Sequence, residues 1–171
     1  MARRLRSAAL AAVLVLGVTA ANAASSVNPQ TGTDSHLPVP RFVSLKAEGV
    51  NGRRGPGLDH KIDWIYERAG LPLQVTGESG PWRRVRDPGG AQVWIHKMNL
   101  EERRTAMIQA QGDIPLRQRP SENARPVAVL APGVIGGFTG CDGEWRRITI
   151  GGRVGWAPKE ALWGAESCAD L

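Results

Sequence analysis

The sequence predicts an all-β protein built from two tandem copies of one small barrel, and three observations predict it. The first is a repeat. Gly80-Pro81-Trp82-Arg83-Arg84-Val85-Arg86 returns 63 positions later as Gly143-Glu144-Trp145-Arg146-Arg147-Ile148-Thr149. At that offset, the 21 positions from Trp64 to Arg84 hold seven identities without a gap, adding Gly70/Gly133, Thr76/Thr139 and Gly77/Gly140 to the residues above. Self-similarity at a fixed period marks a duplicated structural unit. The second is pattern: short apolar runs, alternating as half-buried strands do, with turn residues roughly every 8–12 positions. The third is punctuation by Gly and Pro, as at Asp87-Pro88-Gly89-Gly90 and Gly151-Gly152, which read as hairpin turns.

Before the repeat, Arg3, Arg4 and Arg6, then the apolar run Ala8 to Val18, then Ala21-Asn22-Ala23 have the composition of an export signal with an A-x-A cleavage site. Residues 1–23 are read as that signal, with an uncleaved membrane anchor as the alternative. The apolar run is too short to span a bilayer comfortably, so no membrane span is expected after its removal. Removing it takes away three of 22 basic residues and no acid, leaving 19 − 16 = +3. That is too sparse a charge for a nucleic-acid-binding face. Residues 24–40 are polar and turn-rich and read as a flexible linker.

The first unit, 41–102, opens on the strand Phe42, Val43, Leu45. Ile62, Trp64, Ile65 and Tyr66 form the next strand, and Leu71, Leu73 and Val75 alternate as a third. Gly77 to Pro81 reads as the turn before the Trp-Arg-Arg strand, and Val93-Trp94-Ile95 as the last. Glu101-Glu102-Arg103-Arg104 is a charged joint, too brief for a helix there to be stable alone. The second unit, 103–165, repeats the order, and both units end Trp-x-x-Lys-x-x-Leu (Trp94 to Leu100, Trp156 to Leu162). Units of about 60 residues bury little area, so docking between them and a disulfide would add stability. Residues 166–171 form a tail.

Cys141 and Cys168 both fall in the exported part. Two cysteines in an oxidising compartment most simply pair, which would tie the tail to the second unit. Two free thiols are the alternative, while a nucleophilic cysteine would need a base that no histidine of the second unit supplies. The three scattered histidines give no metal-ligand spacing, and no cofactor motif or Gly-x-Ser-x-Gly is present. Asp59, Asp63 and Glu67 would need a helix to converge, and their segment reads as loop and strand. The expectation is a protein without catalysis.

The order Val-x-x-Arg, Arg-x-Gly-Pro-Gly, Gly-Leu-Pro, Trp-Arg-Arg-Val-Arg-Asp, Trp-Ile-His-Lys resembles the bacterial SH3-like (SH3b) domain, and the whole resembles the secreted tandem SH3-like proteins of Gram-negative bacteria. The resemblance covers roughly 41–164 and is weaker in the second unit, where Arg119-Pro120-Ser121 replaces the usual Gly-Pro. It implies two SH3-like β-barrels, a secreted or periplasmic location, and a binding role toward peptidoglycan or another envelope component, with no catalytic residues.

Candidate ligand-binding residues come from the repeated strand. Trp82 and Val85 have opposite parity, so either a bulge intervenes or Trp82 faces away from the core with Arg84; the same holds for Trp145 and Arg147. The second case predicts a surface strip of one indole and one guanidinium per unit. An indole face stacks on sugar C–H surfaces, and a guanidinium grips carboxylates in bidentate fashion. The alternative is a barrel-end cover, with the Arg stems packed over the indoles. Trp64 and Tyr66 occur only in the first unit and make it the better binding candidate. Trp94 and Trp156, beside core aliphatics, read as packing residues.

Overall fold

The computed structural model describes residues 30–169 and 171; the export-signal reading of 1–23 and the first part of the linker lie outside them. The first strands are β1 (Gln30–Thr31) and β2 (Pro38–Val39), which pair antiparallel. The first unit follows: β3 (Arg41–Leu45), β4 (Val50–Arg53), β5 (Ile62–Tyr66), β6 (Pro72–Ser79), β7 (Trp82–Arg86), β8 (Gln92–His96), a 3-10 turn Lys97–Asn99 and β9 (Leu100–Glu101). The second comprises β10 (Thr105–Ile108), β11 (Ile114–Arg117), β12 (Pro126–Leu130), β13 (Ile135–Asp142), β14 (Trp145–Ile150), β15 (Arg153–Pro158), a 3-10 turn Lys159–Ala161 and β16 (Leu162–Trp163).

The two seven-stranded sheets have one topology. The first runs β5-β4-β8-β7-β6-β3-β9 and the second β12-β11-β15-β14-β13-β10-β16, element for element. Even the irregularities repeat: the β6–β7 register slips between Val75 and Gly77, and the β13–β14 register between Phe138 and Gly140. The tight turn before each Trp-Arg-Arg strand uses Gly80 and Gly143, both at φ +53°, a conformation a side chain would strain. The duplicated all-β architecture read from the sequence is therefore present, with two separate cores. Leu45, Leu73, Val75, Val85 and Ile95 fill the first, and Ile108, Leu116, Phe138, Ile148 and Ala157 the second.

One expectation needs correction. Residues 30–40 are not a flexible linker. The hairpin β1–β2 is fastened by the Glu78 carboxylate, which accepts from the amides of Asp34 (3.0 Å) and Ser35 (2.8 Å) and from the Ser35 hydroxyl (2.6 Å). Arg41 and Arg83 flank the same carboxylate at 2.9 and 3.3 Å. A polar stretch lacking periodicity can still be ordered when a buried charge takes up its amides. The 101–104 joint forms no helix: Glu101 ends β9, and Arg104 is buried between the rings of Phe42 and Phe138, its guanidinium 5.6 and 5.4 Å from their centres.

The units dock directly. Trp163 stands T-shaped against Phe42 (5.4 Å between centroids), donates its indole N–H to the carbonyl of Pro72 (3.0 Å) and lies under the Arg86 guanidinium at 5.0 Å. Thr105 donates to Gly70 (2.7 Å), Gln109 to Pro88 (2.8 Å) and Arg68 to Gly133 (2.8 Å). Trp163 has no repeat partner, because Glu101 stands in the corresponding place.

Candidate functional site

Strand alternation is unbroken along β7: Arg83 and Val85 turn inward, Trp82 and Arg84 outward. The bulge falls instead on the partner strand, at Thr76, whose hydroxyl lies 3.3 Å from the Arg84 carbonyl. Thr139 repeats that contact with Arg147. The parity argument thus holds, but the predicted strip does not form in the first unit. Trp82 is only 8% exposed, because the ring of His96, its direct cross-strand partner, stands edge-on against it at 5.3 Å. In the second unit Pro158 faces Trp145, and that indole is half-buried with Arg147 exposed.

Arg83 and Arg146, the inner arginines, are buried structural clamps. Each donates to the carbonyl of the preceding turn glycine at 2.8 Å, Gly80 or Gly143. Tyr66 is also a core residue: its hydroxyl donates to Asp87 (3.1 Å), and burial together with that carboxylate pushes its pKa above the ordinary tyrosine value. Trp64 is the opposite case, 52% exposed on the edge strand β5 beside exposed Ile62 and Ile65. The six candidate residues are therefore not brought together: Tyr66 and Trp82 are covered, Trp64 is on an edge, and Arg84, Trp145 and Arg147 are on outer faces.

What the fold does assemble is a row that sequence reasoning missed. Arg53, Trp94 and Arg84 are direct cross-strand partners over β4, β8 and β7, so an indole lies between two arginines on one outer face. Arg117, Trp156 and Arg147 form the same row over β11, β15 and β14. Trp94 and Trp156 are half-buried and Arg84 and Arg147 exposed. The inner end of each row is pre-set: Arg53 donates to the carbonyls of Leu58 and His60 (3.1 and 2.7 Å), and Arg117 to that of Ala124 (2.9 Å). The signal was in the repeat itself, since Arg53/Arg117 and Trp94/Trp156 recur at offsets 64 and 62. What the repeat lacks is register, which alone makes them neighbours.

Such a face can stack a flat apolar or sugar surface on the indole and present guanidinium donors to an anion beside it. No group of three or more His, Cys, Asp or Glu among the described residues could hold a metal ion. Asp63, one of the acids considered for catalysis, is paired with Arg54 at 2.6 Å.

A duplicated small β-barrel carrying one outward Arg–Trp–Arg row per copy defines a tandem barrel module. The bacterial SH3 domain family matches this chain twice, over residues 46–102 and 110–164, and the chain belongs to that family. Membership points to a cell-wall-associated binding module, and the family and the Cys141–Cys168 disulfide together point outside the cytoplasm. The structures of NlpC2 and NlpC1 from Trichomonas vaginalis are each 19% identical to the chain, with TM-scores of 0.33. They cover 72% and 77% of this chain, which spans only 48% of theirs, so nothing about activity follows from the likeness. No curated protein matches the chain. Among the described residues no helix is long and apolar enough to cross a membrane.

Proposed function

We propose that the protein is an exported, non-catalytic binding module of the cell envelope that recognises peptidoglycan or a related anionic wall ligand through its two Arg–Trp–Arg rows. The supporting observation is that the row occurs twice in one register, Arg53–Trp94–Arg84 and Arg117–Trp156–Arg147, although the surrounding residues differ. A barrel needs neither an outward indole nor the exposed guanidinium beside it for its core. Peptidoglycan offers the matching chemistry: sugar faces for the indoles and stem-peptide carboxylates for the guanidiniums.

Co-sedimentation of the mature protein with purified sacculi over a salt series tests this. Capture should weaken with salt and fall strongly in the Trp94→Ala, Trp156→Ala pair. No capture at low salt overturns it. An adaptor role in an envelope complex is favoured by one observation, the exposed edge strand β5 with Ile62, Trp64 and Ile65. Crosslinking in cells that captures one protein through Trp64, with sacculi leaving the protein in solution, would select it.

A further inference from the structure

Beside each row lies a groove, in the same place in both units. In the first it is lined by Asn51, Arg53, Leu58, Trp82 and His96 with the single acid Glu48; in the second by Ile114, Pro115, Arg117, Trp145 and Pro158 with Glu122, Glu144 and Glu160. The equivalence is exact in backbone terms: the amide of Lys97 donates to Pro81 O and that of Lys159 to Glu144 O, both at 2.8 Å. The rims have diverged. Glu122, Glu144 and Glu160 stand at the repeat positions of Leu58, Pro81 and Met98, at offsets 64, 63 and 62, so three uncharged side chains have become three carboxylates. The floor has diverged too, since His96 covers Trp82 while Trp145 stays half-open beside Pro158.

We propose that the second groove, about 290 Å³, binds the ammonium group of a lysine side chain on an extended peptide. The aliphatic stem lies over Ile114, Pro115 and Pro158, and the head meets the indole face of Trp145 and the carboxylate rim. Charge complementarity selects the occupant: the three carboxylates face the Arg117 guanidinium, already turned to Ala124 O, and the Lys159 ammonium beside Glu144, so among the described residues Glu122 and Glu160 are the rim acids outside any ion pair. The acids do not converge into a metal site. Acids standing apart suit a compact ammonium with three donors better than a planar guanidinium fork, which wants one coplanar carboxylate. The chain itself supplies a precedent at the rim, where the half-buried Lys159 ammonium lies 3.5 Å from the exposed Glu144. This site goes beyond the wall-binding reading, because it takes a cation where the Arg–Trp–Arg rows take an anion.

The test is a titration of the full chain with acetyl-Ala-Lys-Ala-amide, followed by the indole N–H resonances and with Trp145 assigned through Trp145→Phe. A saturable shift of the Trp145 signal is expected, weakened by salt, absent with the Nε-acetyl-lysine peptide, and about tenfold weaker in Glu122→Gln/Glu160→Gln. Three results would overturn the proposal: no Trp145 shift at millimolar peptide, an equal shift with the acetylated peptide, or an equal response at Trp82. The salt and acetyl-lysine arms use the unaltered protein, so they decide the matter even if the glutamine variant folds poorly.

Discussion

Residue 78 of the first unit and residue 141 of the second occupy the same place in their barrels, next to the bulge and opposite the inner arginine. One is a glutamate and the other a cysteine, yet each fastens a chain end. Glu78 holds the N-terminal hairpin through the amides of Asp34 and Ser35 and the guanidiniums of Arg41 and Arg83. Cys141 holds the C-terminal tail through its disulfide to Cys168, and Arg146, the counterpart of Arg83, donates to the carbonyl of Ala165 at 2.7 Å. A barrel of about 60 residues has little core to spare, so covering its flank with a tethered terminus adds burial that the unit alone lacks. The comparison teaches that the position is constrained to be a fastening point, while the fastening chemistry is free to differ.

That contrast can be broken in stages. The largest effect is expected at the joint, which both units share. Trp163→Ala should cost about 4 kcal/mol by emptying a buried ring site, and chemical denaturation should then resolve two transitions in place of one. Cys141→Ser should cost about 3 kcal/mol, since a loop of 27 residues is no longer closed. Amide exchange should speed up in the tail and in β13, and leave the first unit unchanged.

Glu78→Gln should cost about 2 kcal/mol and release the N-terminal hairpin, seen as loss of protection at the Ser35 amide. The same tether carries a pH signature. Burial alone would raise the Glu78 pKa, but the hydroxyl and amide of Ser35, the amide of Asp34 and the Arg41 guanidinium outweigh it and hold it at about 2, below the ordinary 4.5. A depressed carboxylate pKa stabilises fully above the unfolded value and is lost as pH falls through the folded one. The hairpin should therefore stay docked down to about pH 4.5 and loosen between there and pH 2, while the disulfide-held tail does not respond. The Ser35 amide shift followed across that range checks it. The smallest stability effect is expected at the outer arginines: Arg84→Ala and Arg147→Ala should each change stability by less than about 0.5 kcal/mol. A larger loss would mean that the row is a packing device and not a recognition face.

Much of the fold was legible because it is local. Apolar runs marked β3 and β8, period-two alternation marked β6, the Gly and Asp-Pro-Gly turns separated them, and the gapless repeat established that the two halves share one fold. The face of Trp82 was legible from parity as well. Its cover was not, because His96 reaches it across a strand pair whose register no single strand reveals. Trp94 and Trp156 were read as packing residues for the same reason: their neighbours Arg53, Arg84, Arg117 and Arg147 are adjacent only through the ladder. Trp163 was given no role, since the surfaces it buries, Phe42 and Pro72, belong to the other unit.

By itself, then, the amino-acid sequence determined a duplicated all-β chain, the order of its strands and a pair of cysteines free to join. Tertiary structure alone decided which indoles reach solvent, that residues 30–40 are ordered, and how the two barrels meet. The physical reason is range. Alternation and turn geometry act within a few residues, whereas exposure, charge capture and docking depend on side chains brought together from 40 to 90 positions away, as Ser35 is to Glu78 and Pro72 to Trp163.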